Sequence, residues 1–134
     1  LFGIRWIGEN RLRDGVWMAI FGALARAGAD FIHVTEFEAW QPAFADGGAS
    51  LVALARKYAP GVTIIANGGL HDVQRAGEVH AAGADVVALG RGALANPDMP
   101  GLLQRGLAPR AFDSAILGPI ADIKESELAL AAIG

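Results

Sequence analysis

Apolar runs of strand length alternate four times with segments of helical apolar spacing, and that alternation restricts the chain to parallel strands joined by right-handed crossovers. LFGIRWI (Leu1–Ile7) reads as the first strand. After the polar turn GENRLRDG, its helix is VWMAIFGALARAG (Val16–Gly28). DFIHVT (Asp30–Thr35) is the second strand, rich in β-branched and aromatic residues, and ASLVALARKYA (Ala49–Ala59) is the next helix, stopped by Pro60-Gly61. VTIIAN (Val62–Asn67) is the third strand, and its near-continuous apolar character predicts burial on both faces. DVQRAGEVHAAG (Asp72–Gly83) is a helix with Asp72 as its N-cap, and DVVALG (Asp85–Gly90) is the fourth strand. A short helix from Pro97 to Arg105 follows.

An internal echo supports this parsing. LARAGADFIHV (Leu24–Val34) and VHAAGADVVAL (Val79–Leu89) carry Ala-Gly-Ala-Asp at the same helix-to-strand junction. Gly28 and Gly83 are expected to take the left-handed conformation that ends a helix. The echo is ordinary helix-to-strand loop chemistry rather than a sign of recent duplication.

At 134 residues the chain is long enough for one real core. With 53% hydrophobic and 19% charged residues it is too apolar for disorder, and no apolar run reaches the ~20 residues a membrane span needs. Net charge is −3 and the basic residues are scattered, so no nucleic-acid or membrane partner is expected. The absence of cysteine excludes disulfides, thiolate zinc sites and iron–sulfur clusters, and no histidine pair has metal-ligand spacing. No leader-like segment opens the sequence, which makes a cytoplasmic location the default expectation. The chain opens with Leu1 inside a strand-like run, as an excised piece of something longer would.

In parallel α/β folds, sites form at the carboxyl ends of strands, where loops lead into helices. The third strand ends in Asn67-Gly68-Gly69 and the fourth in Gly90-Arg91-Gly92. Glycine lets backbone N–H groups approach an anion, a following helix N-terminus adds a favourable dipole, and Arg91 supplies a forked cationic donor. The two loops together read as a phosphate cradle. The second strand leads into Glu36-Phe37-Glu38-Ala39-Trp40-Gln41-Pro42-Ala43-Phe44 on the same rim. Two readings stay open for that loop: a substrate or cofactor lid with Trp40 and Phe44 as apolar walls and Glu36 as a polar contact, or aromatics packed on their own scaffold. His33, within a strand, reads as a satisfied interior residue, His71 as a helix-start residue and His80 as solvent-facing; Tyr58 reads as a surface or packing residue near a helix end.

IANGGLHD together with VVALGRGALANPD resembles the C-terminal part of the old yellow enzyme family of FMN-dependent NAD(P)H:flavin oxidoreductases and ene-reductases. The resemblance runs from about Leu1 to Leu107, and Gly-Arg followed by Leu-Ala-Asn-Pro-Asp is its most specific part. It implies the C-terminal half, about strands 5–8, of a (β/α)8 TIM barrel in residues 1–112; by its own pattern the rest, residues 113–134, reads as a tail broken at Pro119, with a short amphipathic helix expected over Lys124–Ile133. It also implies FMN as cofactor, NADH or NADPH as reductant and, as substrate, a small molecule that is an activated alkene or related acceptor. On that resemblance Gly68 and Gly69 offer amides to the FMN phosphate with Asn67 beside them. Gly90 and Arg91 complete the phosphate site, and Arg5 lies by the N1/O2 edge of the flavin. The family has serine soon after that arginine, whereas Trp6-Ile7-Gly8 follows here.

No catalytic residue can be placed, because the family's substrate-binding pair and proton donor come from the other half of the barrel. A barrel of this type needs ~250 residues. The open edges and uncovered face of a half barrel call for the missing half or for self-association. Two further functions stay open: a non-catalytic module binding FMN or another phosphorylated ligand, and a phosphosugar-type barrel using the same cradle.

Overall fold

The computed structural model describes residues 10–120, 122–125 and 128–129. In chain order the elements are α1 (Asn10–Arg26), β1 (Phe31–Thr35), α2 (Leu51–Tyr58), β2 (Thr63–Asn67), α3 (Val73–Ala81), β3 (Val86–Ala88), α4 (Arg91–Ala95), α5 (Met99–Gln104) and a 3-10 turn, Ser114–Leu117. The expected strand Leu1–Ile7, with Arg5, lies outside the described residues. The chain divides into two compact units, Leu1–Ala88 and Leu89–Gly134.

The first unit is a parallel sheet in the order β1-β2-β3, with Phe31 opposite Thr63, Thr35 opposite Asn67, and Asn67 opposite Ala88. Strand and helix alternate as the sequence implies, consistent with part of a TIM barrel. Among the described residues no helix is long and apolar enough to cross a membrane.

Several boundaries differ from expectation. The first helix begins at Asn10 and takes in most of the segment read as a polar turn. Arg11, Leu12 and Arg13 are good helix formers, and one interior glycine, Gly15, costs only about 1 kcal/mol. β3 ends at Ala88 rather than Gly90, and the expected loop residues Arg91 and Gly92 lie in α4. Of the expected tail helix, the described part shows Leu128 N–H donating to the Lys124 carbonyl at 3.2 Å; the rest falls outside the described residues.

Burial is one-sided, not two-sided as β2's composition predicts. Ile32, Val34, Ile64 and Ala66 are buried, whereas Phe31, His33, Thr35 and Thr63 are exposed. The buried row meets Leu51, Val52, Leu54 and Ala55, the apolar stripe of α2. α2 starts at Ser50, whose Oγ accepts from Ala53 N–H at 3.2 Å. On the other face, among the described residues, Phe31 and Val86 are exposed and Ile65 is half-buried. His33 lies on that face and is exposed among the described residues.

Helix ends follow the glycine logic. Gly28 (φ 79°) and Gly83 (φ 122°) are left-handed. Ala29 N–H reaches the Leu24 carbonyl at 3.2 Å, and Ala84 N–H reaches that of Val79 at 3.2 Å. At the second junction the aspartate of the echo does more. The Asp85 carboxylate accepts from Ile64 N–H at 2.8 Å and pairs with the Arg56 guanidinium. Arg56 also donates to the carbonyls of Gly83, Pro60 and Val62 at 3.0, 2.8 and 3.1 Å. The Ile64 N–H and then Arg56 hold the Asp85 carboxyl below its ordinary range. This knot ties α2 to the amino ends of β2 and β3, the stability face of such folds.

In the second unit the Leu-Ala-Asn-Pro-Asp motif is built around Asn96, which is fully buried. Its Nδ2 donates to the carbonyls of Gly92 and Arg110, each at 3.0 Å, and its Oδ1 accepts from Arg110 N–H at 2.8 Å. Arg110 returns a bond from Nε to the Ala95 carbonyl at 3.1 Å. The segment near Arg110 is thereby fastened to the end of α4. Gly106 (φ 67°) ends α5, with Leu107 N–H on the Leu102 carbonyl at 2.9 Å.

Candidate functional site

The carboxyl ends of β1 and β2 carry most of the residues singled out in the sequence, and two hydrogen bonds lace those ends together. Glu36 N–H donates to the Asn67 carbonyl at 3.0 Å, and Ala39 N–H donates to the Gly68 carbonyl at 3.1 Å. A trans peptide points its C=O and the following N–H in opposite directions. Each carbonyl claimed by the β1 loop therefore turns the next N–H away from that loop. β1 and β3 flank β2 on opposite sides, so the Gly68 N–H faces the β3 side, and the Gly69 N–H likewise faces away from the loop. Among the described residues neither N–H donates to a backbone carbonyl.

Close packing, not only ligand approach, demands the two glycines. Gly68 has φ 136°, and a Cβ there would run into the Glu36 carbonyl, with the Glu36 carbonyl carbon 2.8 Å away. Gly69 has φ 67°, and its Cβ would sit 2.9 Å from Cζ3 and 3.0 Å from Cη2 of Trp40. Asn67 donates from Nδ2 to the Ala88 carbonyl at 2.9 Å. One of its amide hydrogens thus braces β2 against the end of β3.

Trp40 is half-buried, with the Arg75 guanidinium 5.1 Å from its ring centroid. Arg75 is itself paired with Glu78 at 2.7 Å on α3, and that bond raises its pKa above the ordinary value. α3 starts at Asp72, whose Oδ1 accepts from Gln74 N–H at 2.8 Å and Arg75 N–H at 3.2 Å, as the N-cap reading requires. Trp40 thus packs between Gly69 and Arg75. Phe37, at 80% exposure, is the loop aromatic most open to solvent, and Glu36 is exposed as well.

In the other unit Gly90 is the N-cap of α4 and Arg91 its first residue, exposed to solvent. Among the described residues no hydrogen-bond acceptor or acid engages the Arg91 guanidinium. His71 is exposed in the turn before Asp72, and His80 is exposed with Nδ1 2.7 Å from the Ala84 carbonyl. Tyr58 closes α2 with Lys57 Nζ 4.7 Å from its ring centroid, a packing residue as expected. No group of acids and histidines among the described residues could hold a metal ion.

Parallel strands alternating with helices define an α/β scaffold of the TIM-barrel kind. The family model for dihydrouridine synthase (Dus) matches residues 49–117, just over half of the chain. The chain belongs to this family of FMN-binding TIM-barrel oxidoreductases, which is related to the old yellow enzymes. The match takes in α2 through the 3-10 turn, including Asn67, Gly68, Gly69, Gly90 and Arg91, but not Arg5, Glu36 or Trp40. No curated protein matches the chain.

Two amides, uncommitted among the described residues and aimed to one side of β2, fit an anion such as the phosphate of FMN. Sequence reading missed Arg75, whose link to Trp40 spans too many residues for any local pattern. It also gave Asn96 no role, although the motif containing it was the most specific one in the chain.

Proposed function

We propose that the chain is the FMN-binding part of an NAD(P)H-dependent flavin oxidoreductase of the old yellow enzyme type, acting on a small activated alkene. The observation that carries this reading is the shared orientation of the Gly68 and Gly69 N–H groups at the carboxyl end of β2. Gly68 and Gly69 donate to phosphate oxygens, Gly90 adds its amide, and Arg91 adds a charged fork. Asn67 keeps the end of β2 registered with β3. Arg5 supplies positive charge at the N1/O2 edge of the flavin. Glu36 and Trp40 form the rim, Glu36 as a polar contact and Trp40 as a wall behind the phosphate turn. When bound, FMN supplies hydride from N5 to the β-carbon of an alkene conjugated to a carbonyl, with NADH or NADPH as the electron source. The face of the sheet that carries His33 and Ile65 is covered by the remaining half of a barrel or by another copy of the chain, and the protein works in the cytoplasm.

A second reading follows from the name of the matched family. The C5=C6 bond of uracil is itself conjugated to a carbonyl, so reduction to dihydrouridine uses the same hydride chemistry on a larger substrate. The net charge of −3 favours the small alkene, because an RNA substrate calls for a basic surface. FMN titration followed by flavin fluorescence is the first test. Saturable binding that Arg91→Ala weakens at least tenfold supports the cradle, and undiminished affinity in that variant removes it. NAD(P)H oxidation with cyclohexenone and with unmodified transfer RNA then separates the substrates. FMN bound without turnover of either leaves the chain a binding module.

A further inference from the structure

The β1 loop is fastened to the Gly68-Gly69 turn by more than two hydrogen bonds. The six-membered edge of the Trp40 indole lies directly on Gly69, leaving no room for a Cβ. The Arg75 guanidinium lies over the Trp40 ring, and Glu78 holds that guanidinium on α3. A continuous line of contacts therefore runs from α3 through Arg75 and Trp40 to the α-carbon of Gly69. At its far end are the two amides whose direction depends on the Asn67 and Gly68 carbonyls staying bound to the loop.

We infer that Trp40 and Arg75 are positioning residues for anion binding. They form a strut that presses the β1 loop onto the Gly68-Gly69 turn and so keeps both N–H groups aimed away from it. Two glycines in succession would otherwise sample many backbone states, and a donor pair that must be ordered on binding loses affinity. A planar ring wedged against Gly69 removes those states before the ligand arrives. Arg75 is suited to the task because a planar guanidinium stacks on an indole, whereas a lysine ammonium would not cover the ring in the same way. Glu78 holds the guanidinium over the ring, so the part of Arg75 here is packing on Trp40. Trp40 in turn acts through Gly69, without itself touching the phosphate.

This inference rests on the FMN reading, and the test separates the two. Wild type, Trp40→Ala, Trp40→Phe, Arg75→Ala and Arg75→Lys are titrated with FMN and with riboflavin, which lacks the phosphate. Urea unfolding is recorded for each, and amide exchange of Gly68 and Gly69 is followed. Trp40→Ala is expected to lower FMN affinity at least tenfold while leaving riboflavin affinity within twofold, and to speed exchange of both amides. Trp40→Phe restores most of the FMN affinity, Arg75→Ala gives a threefold to tenfold loss, and Arg75→Lys does not fully rescue it. An equal fall for FMN and riboflavin, or no fall at all, overturns the strut. Failure of wild type to bind either flavin sinks the FMN reading alone. The strut is then judged by amide exchange, and unchanged exchange in Trp40→Ala overturns it.

Discussion

Removing Asn96 should loosen the helix that begins with Arg91. Its side chain makes three hydrogen bonds from a fully buried position, two to carbonyls and one from the Arg110 amide. At about 1 kcal/mol net for each bond, Asn96→Ala should cost roughly 3 kcal/mol, since the orphaned groups stay buried unless water enters. Asn96→Asp keeps the volume but turns two donors into lone pairs facing the Gly92 and Arg110 carbonyls. Near neutral pH it should therefore be at least as damaging as alanine. Burial raises the pKa of the introduced carboxyl, so its neutral form is the better tolerated one. The deficit of Asn96→Asp should accordingly shrink as pH falls toward the ordinary carboxylate value, because a protonated carboxyl can again donate one bond. Urea unfolding gives the overall cost, and hydrogen exchange at the Arg110 amide gives the local one. If Asn96→Ala lies within about 1 kcal/mol of wild type with the Arg110 amide still protected, the motif is not held as described.

Gly68→Ala should cost roughly 1–3 kcal/mol from its positive φ alone, with a further penalty from the Glu36 carbonyl; wild-type stability by urea unfolding would contradict the close approach. The depressed Asp85 carboxyl contributes stability above its unfolded value near ~3.9 and loses it as pH falls through its lower folded value. Asp85→Asn should lower stability at pH 7 and flatten the acid limb of a stability–pH curve, and an unaltered limb counts against the Arg56–Asp85 knot. Arg5→Ala should lower the reduction potential of bound flavin, and an unchanged potential removes Arg5 from the flavin edge.

The glycines show how much of this fold and site is legible from sequence. Gly28 and Gly83 were readable because a helix end needs one left-handed residue, and local pattern is enough to find it. The Gly68-Gly69 pair was readable as a special turn, but half of its reason lies in the loop from Glu36 to Trp40, some thirty residues earlier. Periodicity likewise located every helix of the described core except α4, and misjudged where the ends fall. α4 is five residues long, below the length at which apolar spacing can speak, so Arg91 read as a loop residue. Apolar content reports that β2 is buried somewhere, yet it cannot say which chain supplies the cover. Among the described residues His33 is therefore exposed and Ile65 only half-buried, in a strand pattern that looked fully enclosed.

The face that carries His33 and Ile65 has a gradient that bears on how it is covered. Register places Phe31 with Thr63, then His33 with Ile65 and Val86, then Thr35 with Asn67 and Ala88. Apolar side chains thus dominate toward the amino ends, and polar ones collect at the carboxyl ends beside the Gly68-Gly69 turn. That is the distribution expected of a barrel interior, packed below and chemically equipped above. Phe31 and Val86 are 58% and 47% exposed, a patch that a sheet covers when it can. The 134-residue chain should therefore self-associate in solution through this face, and Val86→Lys should shift it toward monomer with its helical circular dichroism intact. In an exposed position that substitution costs less than about 0.5 kcal/mol, whereas a charge buried between two sheet faces costs several. Sedimentation that finds wild type and Val86→Lys equally monomeric would show that the face is not a contact between copies, and would leave the rest of a barrel as its cover.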